Sequence, residues 1–209
     1  MVGPDLYFKI NNGCDDVQSA AERSYPASVL ASPRTKGNSS AIVDAIMDGA
    51  MGLSTNVMKL HRLDNLRSIH GCRSCNACKS KGQCVQSDDI TEILEDIRNA
   101  DCVIFSTPVY FGSPNAQYKI LEDRMYSFLK ADMSSTLEKG KKAIVVVTCS
   151  GPVEEAMPIA DKMYGVLSSI GFDVIDKFVF SDVGGTISSK DDGELMDRAK
   201  ILGRNFRNT

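Results

Sequence analysis

From about residue 27 onward, short apolar runs alternate with longer stretches in which apolar residues recur at helical intervals. Ala27–Ala31 (ASVLA) reads as a first strand, and Ala41–Met51 places Ile42, Val43, Ile46 and Met47 on one face of a helix. Thr55–Leu60 reads as a second strand. The segment SDDITEILEDIRNAD opens on acidic capping residues and spaces Ile90, Ile93, Leu94 and Ile97 along a helix. Cys102–Ser106 (CVIFS) and Ala143–Thr148 (AIVVVT) are continuously apolar, as strands covered on both faces are. Further helices are predicted at about 115–130, 153–169 and 191–206, with a fifth strand over Phe172–Phe180. Strands alternating with helices place the chain in the α/β class, with a doubly wound parallel sheet at its centre. Residues 1–26 stand outside this alternation as an N-terminal extension to one domain over 27–209.

Composition narrows the partners. The 209 residues carry a net charge of −3, with acidic and basic residues intermixed, which argues against a nucleic-acid or anionic-lipid surface. No apolar run reaches the eighteen or so residues of a membrane span. The start, MVGPDLYFKINNG, lacks a basic stretch followed by an apolar one, so no secretory signal is expected. Four of the seven cysteines crowd into Cys72–Cys84 rather than spreading as a disulfide framework, and a reducing cytoplasm is the expected location.

Two segments carry candidate binding chemistry. After the first strand comes SPRTKGNSS, in which Ser32, Ser39 and Ser40 offer hydroxyls and Gly37 permits close approach. Arg34 and Lys36 can offset an anion's charge, and the following helix adds unpaired N–H groups. The glycine spacings of a nucleotide triphosphatase or a dinucleotide fold are absent, so a mononucleotide phosphate fits better; the bland reading is a turn with a helix cap. At the end of the third strand lies Thr107-Pro108-Val109-Tyr110-Phe111-Gly112-Ser113-Pro114-Asn115, read as a loop. Tyr110 and Phe111 offer flat apolar surface to a planar heterocycle, or simply cover the sheet edge. Both segments follow strand carboxyl ends, where open α/β sheets bind ligands.

The cysteines run Cys72-x2-Cys75-x2-Cys78-x5-Cys84, within an inserted loop at 68–87. Three thiols at intervals of three and a fourth reached through a Gly-containing return suit one [4Fe–4S] cubane better than zinc, which usually takes two separated pairs; unmetallated thiols are the other alternative. Cys14, Cys102 and Cys149 read as a tail thiol and two strand residues, while His61 and His70 read as surface or supporting residues rather than ligands. Asp88 and Asp89 read as helix caps, not as paired catalytic carboxylates, and no side-chain nucleophile or general base stands out.

SPRTKGNSS together with STPVYFGSPNAQYKILEDR resembles the NADPH-dependent FMN reductase-like group, and the cysteine quartet makes the chain similar to its iron–sulfur flavoprotein branch. The resemblance implies a flavodoxin-like five-stranded parallel sheet in the order 2-1-3-4-5. It also implies FMN phosphate at Ser32, Arg34, Gly37, Asn38, Ser39 and Ser40, beside the Lys36 that its charge already makes a candidate, and the flavin ring along Pro108, Val109, Tyr110, Phe111 and Gly112. A looser match adds Ser150 and Gly151. Cys72, Cys75, Cys78 and Cys84 would hold the cluster. The implied activity is electron transfer between a ferredoxin-type or NAD(P)H donor and a small-molecule acceptor, in a homodimer or homotetramer. Two alternatives share the scaffold: a cluster-free NAD(P)H-dependent FMN or quinone reductase, and a non-enzymatic subunit of a larger redox complex.

Overall fold

A computed structural model describes residues 25–51, 58–185 and 188–205. The elements are β1 (Pro26–Leu30), α1 (Asn38–Met51), β2 (Lys59–Arg62), α2 (Cys78–Lys81), α3 (Asp89–Asn99), β3 (Cys102–Tyr110), β4 (Ser113–Pro114), α4 (Ala116–Arg124), β5 (Lys142–Cys149), α5 (Val153–Ile170), β6 (Asp173–Ser181) and α6 (Gly193–Asn205). Five parallel strands form a sheet in the order β2-β1-β3-β5-β6, and the two-residue β4 folds back antiparallel on β3. Setting β4 aside, this is the expected 2-1-3-4-5 order.

Strand alternation divides the core between two faces. Val103 and Phe105 of β3 and Ala143, Val145 and Val147 of β5 point toward a cluster completed by α3, α4 and α5, including Ile90, Ile97, Leu121 and Met163. Ile104, Ile144 and Val146 point the other way, onto Ile42 and Ile46 of α1 and Ala199 of α6. Both faces are covered, which is why these strands read as unbroken apolar runs. The helices α1 and α6 meet backbone to backbone: a Cβ on Gly49 would overlap the Lys200 carbonyl, and one on Gly203 would overlap the Ile46 carbonyl.

Three boundaries differ from the sequence expectation. The second strand lies at 59–62 rather than 55–60, because parallel pairing with β1 sets its register (Ala27 to Lys59, Leu30 to Arg62); residues 55–57 lie outside the described residues. Pro26, assigned to the extension, opens β1 opposite Cys102, while residues 1–24, and Cys14 with them, lie outside the described residues. The third strand continues through Thr107–Tyr110, the segment read as loop, because Thr107 and Pro108 pair with Val147 and Thr148 of β5. Pro108 is accommodated near that strand's end, where fewer ladder bonds are demanded. Among the described residues, no helix is long and apolar enough to cross a membrane.

Candidate functional site

The carboxyl ends of β1, β3 and β5 open on one edge of the sheet, and the first loop occupies the β1 end. Pro33, Arg34, Thr35, Lys36, Gly37 and Asn38 line an open cavity of about 600 Å3 together with Asp182, Gly185 and Ser188. The Arg34 carbonyl is the hub of the turn: it accepts from the Gly37 N–H (3.3 Å) and from the Ser40 hydroxyl (3.1 Å). Ser32, 4% exposed, accepts the Arg34 N–H through Oγ at 3.3 Å. The Gly37 carbonyl receives the Ala41 N–H (3.1 Å), so the amides of the first turn of α1 precede its hydrogen-bond ladder and bear the helix's partial positive charge. A Cβ at Gly37 would stand 3.0 Å from Arg34 Cβ, which explains glycine in so tight a turn. With Arg34 and Lys36 exposed beside those amides, the loop has the parts of an anion site.

Not every serine faces that cavity. Ser39 Oγ lies 2.7 Å from Thr148 Oγ1 on β5 and both residues are buried, so this contact ties the start of α1 to the sheet. Ser40 likewise shapes the turn through Arg34. Asn38 works as a tie, its Oδ1 accepting the Ser189 N–H (2.8 Å) and its amide reaching Asp182 Oδ2 (3.5 Å).

The β3 end carries the second group. Val109 pairs with Pro114 and Tyr110 with Ser113, leaving Phe111-Gly112 as a two-residue hairpin turn with φ of 50° and 68°. Both central residues in the left-handed region make a type I′ geometry, which Gly112 adopts freely and Phe111 adopts under strain. Phe111 is fully exposed and Tyr110 half-exposed, so neither covers the sheet edge. On β5's side, Gly151 accepts at its carbonyl from Ser181 Oγ (2.5 Å) and Cys149 Sγ (3.2 Å), while Ser150 is exposed.

Asn115, not singled out in the sequence, fastens the first two loops together. Its Nδ2 donates to the Ala31 carbonyl (2.6 Å), its Oδ1 accepts from Thr107 Oγ1 and from the Tyr118 N–H (both 3.2 Å), and its own N–H donates to Thr107 Oγ1 (3.2 Å). At 1% exposure it is N-cap of α4 and clasp of β1 to β3 at once. An Asn directly before a helical run is a recognisable cap signal; the clasp has none.

The cysteine loop forms a separate site. Cys72, Cys75, Cys78 and Cys84 all line one small, largely enclosed cavity with Arg73, Arg124, Tyr126 and Gln86. Ser74 and Asn76 adopt positive φ (52° and 56°), bending the chain between the first three cysteines, and the Ser74 N–H donates to Cys72 Sγ (3.4 Å). Side chains of α3 and one of its own hold the loop: Asp89 Oδ2 accepts the Arg67 and Ser68 amides (2.7 and 3.0 Å), Arg98 donates to the Gly82 carbonyl (2.9 Å), and within the loop Gln86 donates to the Gly71 carbonyl (3.2 Å). Lys79 Nζ donates to the Tyr126 and Leu129 carbonyls and sits 3.4 Å from the Tyr126 ring centre.

Arg124, at the end of α4, is the innermost of these. Its side chain is fully buried, with Nη1 donating to Asp88 Oδ2 (2.7 Å) and the His70 carbonyl (2.9 Å), and Nε donating to Cys84 Sγ (3.2 Å). Asp88 caps α3 in a reciprocal box with Thr91 and also accepts the His70 N–H (3.1 Å). Burial alone would raise the Asp88 carboxyl, but Arg124 and the His70 amide hold it below the ordinary carboxylate value. Asp88 is thus the cap that its position suggests, whereas Asp89 serves the cysteine loop.

No group of three or more His, Cys, Asp or Glu among the described residues is gathered tightly enough for a single metal ion. Ligands of a cluster bind separate irons and stand further apart than ligands of one ion. Four cysteines lining one cavity, two of them exposed, an arginine donating to one of their sulfurs and no acidic residue in that lining are the donor chemistry of an anionic tetrathiolate group. The histidines are otherwise engaged: His61 Nε2 lies 2.9 Å from Asp96 Oδ2, and His70 is half-exposed with Nδ1 3.5 Å from Asp88. Cys102 and Cys149 are buried at strand ends.

A family model of the NADPH-dependent FMN reductases matches residues 27–185. An iron–sulfur flavoprotein of Archaeoglobus fulgidus is 34% identical over 178 residues, covering 84% of this chain and 75% of that protein. An iron–sulfur flavoprotein of Methanocaldococcus jannaschii is 36% identical over 98 residues, a match that spans 46% of this chain and about half (49%) of that protein. Among solved structures, an NAD(P)H:quinone oxidoreductase of Methanothermobacter marburgensis superposes with a TM-score of 0.68 at 20% identity, covering 88% of this chain and 98% of that one, a likeness of fold.

Proposed function

The chain belongs to the NADPH-dependent FMN reductase family and, within it, to the iron–sulfur flavoprotein branch, and from that membership we propose that it is an FMN-dependent oxidoreductase whose four clustered cysteines hold a [4Fe–4S] cluster. The observation that carries the cluster half of this reading is the convergence of Cys72, Cys75, Cys78 and Cys84 on one cavity. When bound, FMN would exchange a hydride or single electrons and a cluster would exchange single electrons, so the pair would join one- and two-electron partners.

The chain's own contribution is binding and orientation. Arg34, Lys36 and the first-turn amides of α1 would take the FMN phosphate, with Ser32, Gly37 and Ser40 setting the turn and Asn38 and Ser39 anchoring it. Pro108, Val109, Tyr110, Phe111 and Gly112 would flank the ring, held in register with the phosphate loop by Asn115, and Ser150 and Gly151 would approach from β5. The donor would be a pyridine nucleotide or a ferredoxin-type protein, the acceptor a small molecule, and the working form a homo-oligomer.

Flavin extraction together with iron and sulfide assays on the anaerobically purified chain tests the reading. One FMN and about four irons per chain are expected for a single cubane. FMN without iron would move the assignment to a cluster-free FMN or quinone reductase, and the absence of both after reconstitution would overturn it.

A further inference from the structure

Arg124 is the least explained side chain of the structure. It is the largest fully buried side chain among the described residues, and its Nη2 is buried without a hydrogen-bond partner among them. A buried guanidinium nitrogen left unpaired is destabilising, and that cost is usually offset by a ligand or ordered water that the protein's own atoms do not supply. The surroundings say what kind of ligand. The guanidinium lines the four-cysteine cavity, its Nε already donates to Cys84 Sγ at 3.2 Å, and its other face is occupied by Asp88 and the His70 carbonyl.

The neutral alternative is a purely structural arginine, pairing Asp88 to close the neck of the cysteine loop. Pairing Asp88 needs only Nη1, which also serves His70. A lysine would satisfy that demand with fewer stranded donors, so neither Nε on a sulfur nor the stranded Nη2 is accounted for by closure alone. Planarity matters here: the fork keeps Nη1 on Asp88 while the remaining N–H groups face elsewhere in fixed directions.

We propose that Arg124 is the electrostatic positioning residue of the cysteine site: Nε donates to the Cys84 thiolate, Nη2 donates to a sulfur of the group that the four thiolates hold, and the cationic fork, aimed by Asp88, raises that group's reduction potential. This rests on the cluster reading above. The sign follows from charge. Reduction adds an electron to an already anionic group, a nearby cation and N–H···S bonds stabilise the more negative state more, and the potential rises.

The test uses the anaerobically reconstituted full chain, Arg124→Gln and Arg124→Lys, each assayed for FMN, iron and sulfide, with the cluster's reduction followed by absorbance and electron paramagnetic resonance at controlled poise. At a fixed poise near the wild-type midpoint, the reduced-to-oxidised ratio is expected to fall at least tenfold in Arg124→Gln, which for a one-electron couple is a downward shift of about 59 mV. Arg124→Lys, keeping the charge and losing the fork, is expected to shift in the same direction by less. Wild-type iron content with an unchanged midpoint in both variants overturns this proposal and leaves the cluster reading intact. A wild-type chain that takes up FMN and no iron overturns the cluster reading and this proposal with it. If Arg124→Gln fails to fold, Arg124→Lys alone decides: a midpoint equal to wild type refutes, a lowered one supports.

Discussion

The phosphate-loop mouth takes its order from the sheet, whereas the cysteine loop takes its order from side chains that reach it from far along the sequence. Ser32 follows β1 directly, Ser39 bonds Thr148 on β5, and Asn115 bridges the β1 and β3 ends, so the mouth is fixed by elements that must form for the core to exist. Between β2 and α3 the chain has only a short 3-10 turn and the four-residue α2; Asp88, Asp89, Arg98 and Arg124 hold it through bonds to its backbone, and its own Lys79 reaches out to the Tyr126 and Leu129 carbonyls. A site made from strand ends is as stable as the fold. One made from polar anchors depends on each anchor and on whatever it binds.

Four substitutions would break or sharpen that contrast. Cys75→Ser should have the largest effect, abolishing iron uptake and the broad absorbance of sulfur-to-iron charge transfer near roughly 400 nm while FMN content stays at wild-type level; visible spectra and iron assay read both. Loss of FMN along with iron would mean that the two sites are not independent.

Asp88→Asn should come next, destabilising the chain by about 3 kcal/mol in urea unfolding at neutral pH, since it strips the partner from a buried arginine. The same carboxyl gives a pH signature. Its folded pKa is depressed, so its contribution is present above the unfolded value near about 4 and is lost as pH falls through the lower folded value. Wild type should therefore lose stability on acidification below about pH 4, and Asp88→Asn should lose less over that range. Asp96 also lies below its ordinary value, against the effect of burial, through His61 and Lys59, so some acid dependence remains in the variant.

Asn115→Ala should cost about 2–3 kcal/mol, leaving the Ala31 carbonyl and Thr107 hydroxyl without their buried partner and α4 without its cap. Fluorescence titration of the variant should find FMN bound at least about tenfold more weakly, with iron uptake unchanged, the mirror image of Cys75→Ser. Phe111→Asn should be the smallest, a gain of about 0.5–1 kcal/mol because Asn tolerates the left-handed region better. A gain in stability with weaker FMN binding would mark the Phe111 strain as kept for function.

Much of the architecture was legible because periodicity reports burial. The apolar runs of β3 and β5 mark the doubly covered centre, and Ile90, Ile93, Leu94 and Ile97 mark the inner face of α3. The end of β3 reads as loop because Pro108, Gly112 and Pro114 signal turns, while the pairing of Thr107 and Pro108 with β5 is tertiary and outweighs that signal. The cysteine quartet announced itself by spacing. Its supports did not, since Arg124 sits in the charged run LEDR and looks like a surface residue until the fold turns it inward against Asp88, 36 positions away. The direction of the Ser39 hydroxyl was hidden for the same reason, its partner lying on a strand 109 residues on.

The helix α4 begins at the clasp residue Asn115 and ends at Arg124, so a single rigid rod indexes the flavin-side mouth to the sulfur pocket. Nine steps at the helical rise make a ruler of about 14 Å, and each step also turns the rod by about 100°. A one-residue insertion inside it would leave Asn115 seated and swing Arg124 a quarter-turn off the thiols, whereas lengthening the loops on either side would be absorbed. Evolution within this lineage should therefore tolerate gaps before 115 and after 124 far more readily than between them.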